Sequence, residues 1–186
     1  MPNLPNTLTL ARIACIPLIG AAFFLEKEWT TVSFMITWYI FGLFVVCALT
    51  DFLDGALARK LNQVTALGTF LDPISDKILV SSLLIFLVAF GRITDVWIIP
   101  VTLILAREFA ISGLREYLGP KNIALPVTTL AKWKTTLQMG ALALYILNPV
   151  MPFTIELAQG ALLSACFVTL VTGAQYIRAG WKSLSP

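Results

Sequence analysis

Residues 32 to 58 read VSFMITWYIFGLFVVCALTDFLDGALA, an apolar run from Val32 to Ala58 that carries two aspartates near its end. A β-strand crossing a membrane is about ten residues long and alternates in polarity. This run is longer and continuous, and an open strand in lipid would leave its backbone groups unpaired, so the stretch is expected to be a membrane helix. Five further runs of the same kind lie near Leu8 to Leu25, Leu67 to Phe90, Val96 to Leu114, Val127 to Leu147 and Phe153 to Ile177. Between them fall Glu26 to Trp29, Arg59 to Ala66, Gly91 to Asp95, Arg115 to Pro126 and Asn148 to Pro152, all short, polar or rich in Gly and Pro. The expected fold is all-α, a polytopic membrane protein with six transmembrane helices and no internal repeat.

Composition agrees. Of 186 residues, 58% are hydrophobic and 12% charged, against roughly 45 to 50% and about 25% in a soluble domain. Six spans of about 20 residues take up about 120, so residues 1–186 are expected to form a single membrane-embedded domain. The first run holds Arg12 and is followed by Glu26-Lys27-Glu28 without a small-x-small cleavage site, which reads as a retained span. The absence of histidine excludes imidazole acid–base chemistry and His metal ligation. Cys15, Cys47 and Cys166 each lie inside an apolar run and read as packed thiols.

With the N-terminus in the cytoplasm, that side holds Arg12, Arg59, Lys60, Arg115, Lys121, Lys132, Lys134, Arg178 and Lys182, while the far side holds Lys27 and Arg92. This bias satisfies the positive-inside rule and puts both termini in the cytoplasm. Trp29, Trp97, Trp133 and Trp181 fall at span ends, where indole rings anchor in the interface.

The functional signal is four carboxylates that a membrane should have excluded: Asp51 and Asp54 near the end of the second span, Asp72 and Asp76 near the start of the third. Each charge at the centre of a span costs about 2.5 to 3.5 kcal/mol on insertion scales, so each needs a partner, water or a cation. Spacings of i, i+3 and i, i+4 put each pair on one helix face. In an antiparallel hairpin turning near Gln63, Asp51 shares a depth with Asp76 and Asp54 with Asp72, on the order of 10 Å inside the cytoplasmic surface. Four such charges repel one another unless protonated or neutralised, and oxygen-only ligands select Mg²⁺ or Mn²⁺. Two ions bridged by carboxylates would suit a phosphate diester or pyrophosphate. The alternative is a salt-bridged polar core around Lys77 and Arg59. Gly55, Ala58 and Gly68 lie on the carboxylate faces and leave room for a ligand, or equally for close helix packing.

Asp51-Phe-Leu-Asp54-Gly55-Ala-Leu-Ala58-Arg59, then eight residues, then Gly68-Thr-Phe-Leu-Asp72-Pro-Ile-Ser-Asp76, resembles the CDP-alcohol phosphotransferase signature D-x-x-D-G-x-x-A-R-x8-G-x-x-x-D-x-x-x-D at every fixed position. The resemblance implies six spans, a homodimer, release of CMP, a two-metal site on the four aspartates and Asp76 as general base. It also implies that Asn6 to Thr9, Gly55, Arg59 and Thr65 contact the nucleotide end of the donor.

Three further stretches are similar to bacterial members of that family with CDP-diacylglycerol as donor and glycerol 3-phosphate as acceptor. They are Asn3 to Arg12, Ala106 to Arg115 and Ala131 to Met139. The residues themselves favour an anionic acceptor. Arg107 lies well inside the fourth span, with Arg115 eight residues on and Lys132 and Lys134 opening the fifth. Arginine forks and lysine point charges both suit a phosphate, although the two lysines also fit lipid headgroup attraction. Glu108 is placed to orient Arg107 or pair with another base. The expected setting is the inner (cytoplasmic) membrane, with the active site facing the cytoplasm, membrane lipids around it and no nucleic-acid contact. A sister enzyme with serine, inositol phosphate or a lipid as acceptor stays open, as does a cation transporter, which would call for broken helices or repeats.

Overall fold

A computed structural model describes residues 4–29, 31, 33–60, 66–119 and 129–181; for 4–6, 51–60, 66, 67, 69, 72, 129, 131, 132, 180 and 181 the backbone alone is described. Among the described residues there are six α-helices and no strand. They are α1 (Leu4–Glu28), α2 (Ser33–Lys60), α3 (Ala66–Ala89), α4 (Ile98–Leu118), α5 (Thr129–Leu147) and α6 (Thr154–Trp181), with a 3₁₀ turn over Asp95–Trp97 ahead of α4. Each lies on one of the six apolar runs. Several run past the apolar boundary: α1 takes in Glu26 to Glu28, α2 takes in Arg59 and Lys60, and α4 takes in Arg115 to Leu118. Backbone hydrogen bonding carries a helix on into polar flanks, whereas hydropathy marks only the part that suits lipid. Four stretches, Thr7–Glu28, Ser33–Thr50, Asp95–Leu118 and Thr154–Ala179, are long and apolar enough to cross a membrane.

The chain divides into two compact units, Met1–Ile93 with Leu142–Thr154, and Thr94–Ala141 with Ile155–Pro186. In the first, α1 packs on both α2 and α3. Its buried stripe is Thr9, Arg12, Ile16, Ile19 and Phe23, spaced by three and four, which is one helical face. α2 buries Thr37, Ile40, Phe44 and Cys47, and α3 buries Ser75, Leu79, Leu83 and Leu87, by the same spacing. Gly20 allows the close approach of α1 to α3, since a Cβ there would lie 2.8 Å from Phe86 Cζ. One turn on, Phe23 stacks on Phe90 with ring centroids 5.5 Å apart. Phe24, Phe34, Met35 and Val46 face outward. Polar side chains inside and large apolar ones outside suit lipid, where packing and interhelical hydrogen bonds hold helices together.

Glu26 and Arg92, read from the sequence as charges in far-side connections, are withdrawn into this unit, with side chains 10% and 7% exposed. Arg92 Nη2 pairs with Glu26, whose other oxygen accepts from the Thr37 hydroxyl. Arg92 Nη1 donates to the Ile146 carbonyl at 2.5 Å, and the guanidinium lies 4.8 Å from the Phe23 ring centroid. Burial pulls the Arg92 pKa below its ordinary value, and Glu26 opposes that shift. A charge near the end of a span is stable there because its partners come from α1, α2 and α5 together.

In the second unit α4 buries Val101, Ile104, Ile111 and Leu118 on one face. α6 buries Ala158, Leu162, Ala165, Thr169, Thr172 and Tyr176, again by threes and fours.

Candidate active site

The four aspartates lie in the stretch of chain assigned to the first unit. α2 ends at Lys60 and α3 starts at Ala66, so Asp54 and Asp72 each stand six residues from the facing helix ends, with Asp51 nine and Asp76 ten residues away. At 1.5 Å per residue the two sets of distances, each counted along its own helix from that end, differ by about 2 Å at most. Both helices are continuous through the four positions, so the i, i+3 and i, i+4 pairings each hold on one face. Oxygen-only donors at these four positions are of the kind that suits Mg²⁺ or Mn²⁺, and the Asp76 side chain is half-buried. The expected convergence of the Asp51, Asp54 and Asp72 side chains lies outside the described residues, as do the side chains of Asn6, Gly55, Ala58 and Arg59 and the whole of Thr65.

Of the expected donor contacts, Thr9 is fully buried on α1 and Gly68 is buried on α3. Arg12, one turn after Thr9, was counted from the sequence only as a topology charge. It is 2% exposed, and its Nη1 donates to Ser75 Oγ at 3.0 Å. Ser75 directly precedes Asp76, so a buried guanidinium from α1 is fixed against the carboxylate-bearing end of α3. The signal was legible: Arg12 lies inside an apolar run, the same reason that singled out Arg107.

The basic cluster belongs to the second unit. Arg107 stands in the middle of α4 with its side chain 9% exposed, and its Nη1 lies 3.1 Å from Glu108 Oε1. The same oxygen takes Lys134 Nζ of α5 at 2.5 Å. Glu108 therefore joins the two bases, and Lys134 is 12% exposed beside it. Arg107 Nη2 donates to Thr172 Oγ1 of α6 at 3.0 Å. Arg115, two turns on, lies with its guanidinium carbon 5.2 Å from the Tyr176 ring centroid, and that of Arg107 lies 5.7 Å from the same centroid. The Lys132 side chain lies outside the described residues. Thr172 and Tyr176 carry no charge and sit within an apolar run, so nothing in the sequence set them apart.

The described residues are helical almost throughout, with four stretches long and apolar enough to cross a membrane and with bases buried on α1 and α4. The chain belongs to the CDP-alcohol phosphatidyltransferase family, whose model matches residues 2–171. It is 44% identical over 180 residues to the CDP-diacylglycerol–glycerol-3-phosphate 3-phosphatidyltransferase of Rickettsia bellii, covering 95% of this chain and 94% of that protein. The proteins of the same name from Bacillus subtilis and Yersinia enterocolitica are 38% and 39% identical, over 99% and 98% of this chain and 98% and 97% of their own lengths.

Proposed function

We propose that this protein transfers the phosphatidyl group of CDP-diacylglycerol to glycerol 3-phosphate, forming phosphatidylglycerophosphate and releasing CMP. The observation that carries the reading is full-length similarity to relatives of that one name, joined to a buried, doubly paired Arg107 in the stretch that separates acceptors. The enzyme works in the inner membrane as a homodimer, with six spans that include α3 and α5, and with its site towards the cytoplasm.

Asn6, Thr9, Gly55, Ala58, Arg59, Thr65 and Gly68 take the nucleotide end of the donor, while its acyl chains stay in lipid. Asp51, Asp54, Asp72 and Asp76 would hold Mg²⁺ or Mn²⁺, as a pair of ions, and the charge so bound would neutralise the pyrophosphate as CMP leaves. Arg107 and Arg115, supported by Lys132 and Lys134, bind the acceptor's phosphate through charge-assisted hydrogen bonds. Asp76 takes the proton of the primary hydroxyl of glycerol 3-phosphate as that oxygen attacks the β-phosphorus. No covalent enzyme intermediate is required.

The test is CMP release by purified protein given CDP-diacylglycerol and, separately, glycerol 3-phosphate, serine or inositol phosphate, before and after chelation. Turnover is expected with glycerol 3-phosphate alone and only with Mg²⁺ or Mn²⁺. Preference for another acceptor overturns the acceptor, and full turnover after exhaustive chelation overturns the metal site.

A further inference from the structure

We infer that the Thr172–Gly173–Tyr176 face of α6 positions Arg107 and Arg115 as a single phosphate-recognising pair, making these α6 residues determinants of acceptor affinity. The inference rests on the reading of those two arginines as the acceptor-phosphate site.

Two guanidinium groups aimed at one anion repel each other before the anion arrives, and each long side chain has many rotamers to lose. Tyr176 addresses both costs. It is 3% exposed, and the guanidinium carbons of Arg107 and Arg115 lie 5.7 and 5.2 Å from its ring centroid, inside the roughly 6 Å reach of a cation–π contact. The negative ring face is thus a common anchor for two like charges. Among the described residues its buried hydroxyl has no hydrogen-bond partner, so the positioning rests on the ring.

Gly173 governs the approach of Arg107. A Cβ there would lie 2.9 Å from Arg107 Cγ and 3.2 Å from Nε, so the arginine stem crosses α6 where glycine leaves space. Arg107 Nε is buried without a partner in this crossing. Beyond it, Nη2 is held by Thr172 Oγ1, whose own hydroxyl is fixed to the Val168 and Thr169 carbonyls at 2.9 and 3.0 Å. With Nη1 on Glu108, each terminal nitrogen keeps one further N–H for a ligand. The arginine is therefore oriented at its stem, at both terminal nitrogens and at its face before any acceptor binds.

The experiment measures KM for glycerol 3-phosphate, KM for CDP-diacylglycerol, kcat and thermal unfolding for Gly173→Ala, Tyr176→Leu, Tyr176→Phe and Arg107→Ala. Gly173→Ala and Tyr176→Leu are expected to raise the acceptor KM about tenfold, the scale of losing one to two cation–π or oriented arginine contacts. The donor KM should move by less than about twofold on that same scale. Tyr176→Phe keeps the ring and should bring the acceptor KM most of the way back from its value in Tyr176→Leu. If Arg107→Ala raises the acceptor KM while Gly173→Ala and Tyr176→Leu do not, or if Phe and Leu weaken it equally, the positioning role of α6 is overturned and the acceptor site stands. If Arg107→Ala itself leaves the acceptor KM unchanged, the acceptor-site reading falls, and this inference with it. An equal rise in both substrates' KM values together with loss of thermal stability marks general damage to the fold and also overturns it.

Discussion

Among the four aspartates the roles differ by what each loses on conversion to asparagine. Asn keeps the volume of Asp and one oxygen able to act as a ligand, but it cannot accept a proton from the attacking hydroxyl. Asp76, half-buried and one helical turn beyond Asp72, is the base in the proposed mechanism, and general-base catalysis contributes about 10² to 10⁴-fold. Asp76→Asn is therefore expected to lower CMP release by about that factor while CDP-diacylglycerol binding at fixed Mg²⁺ persists. In the same proposal Asp51→Asn and Asp72→Asn remove charge that would hold the cations, and are expected to weaken metal-dependent donor binding itself. Binding measured beside turnover decides between them, and substantial turnover by Asp76→Asn at neutral pH would move the base elsewhere. Arg12 belongs to the same argument at one remove. A guanidinium 2% exposed on α1 and bonded to Ser75 brings positive charge to the helix that carries Asp76.

The helices themselves were legible because lipid imposes one rule on every span, and six apolar runs became six helices in the same order. The motif aspartates stand out in the sequence for the complementary reason, as charges within or beside apolar runs. What escaped the sequence was the fate of charges at helix ends, where hydropathy cannot tell a solvated side chain from one drawn inward by partners on other elements. Glu26 and Arg92 show the difference: far apart in the chain and read as loop charges, they form a buried pair that also engages Thr37 and the Ile146 carbonyl. Thr172, Gly173 and Tyr176 escaped for a related reason, since a cradle for a guanidinium is built of uncharged residues. Removing one partner of a buried ion pair costs about 3 to 5 kcal/mol, because the other charge is left uncompensated, whereas an apolar replacement of both partners is often near neutral. Arg92→Met is accordingly expected to lower the thermal unfolding temperature in detergent sharply, and Glu26→Leu combined with Arg92→Met to recover most of the loss. A double variant less stable than either single one would show that Thr37 and the Ile146 carbonyl, rather than the ion pair, set the cost.

Across the whole molecule, the proposed orientation in the bilayer rests on the two-sided distribution of basic residues. The sequence assigns nine Lys and Arg residues to one side and Lys27 with Arg92 to the other. Arg92 is neutralised by Glu26 inside the fold, so Lys27 is left as the far side's only uncompensated base among those assigned to it. Arg12 and Lys134, counted on the cytoplasmic side, are likewise drawn inward; Arg115 and Arg178 are exposed, and the side chains of Arg59, Lys60, Lys121, Lys132 and Lys182 lie outside the described residues. Each base near a membrane with anionic lipids on its cytoplasmic face contributes about 1 kcal/mol of attraction, which is the physical basis of the proposed orientation with both termini in the cytoplasm. The proposed orientation would also suit the proposed chemistry, because glycerol 3-phosphate is a soluble anion and the four aspartates would then lie towards the cytoplasmic ends of α2 and α3. Single cysteines at Lys27 and Lys182, placed in a background lacking Cys15, Cys47 and Cys166, test it with a membrane-impermeant maleimide. Position 27 is expected to react in intact cells with a permeable outer barrier, and position 182 only after the inner membrane is opened. Labelling of 182 from outside would invert the protein and place the carboxylates on the side without the acceptor.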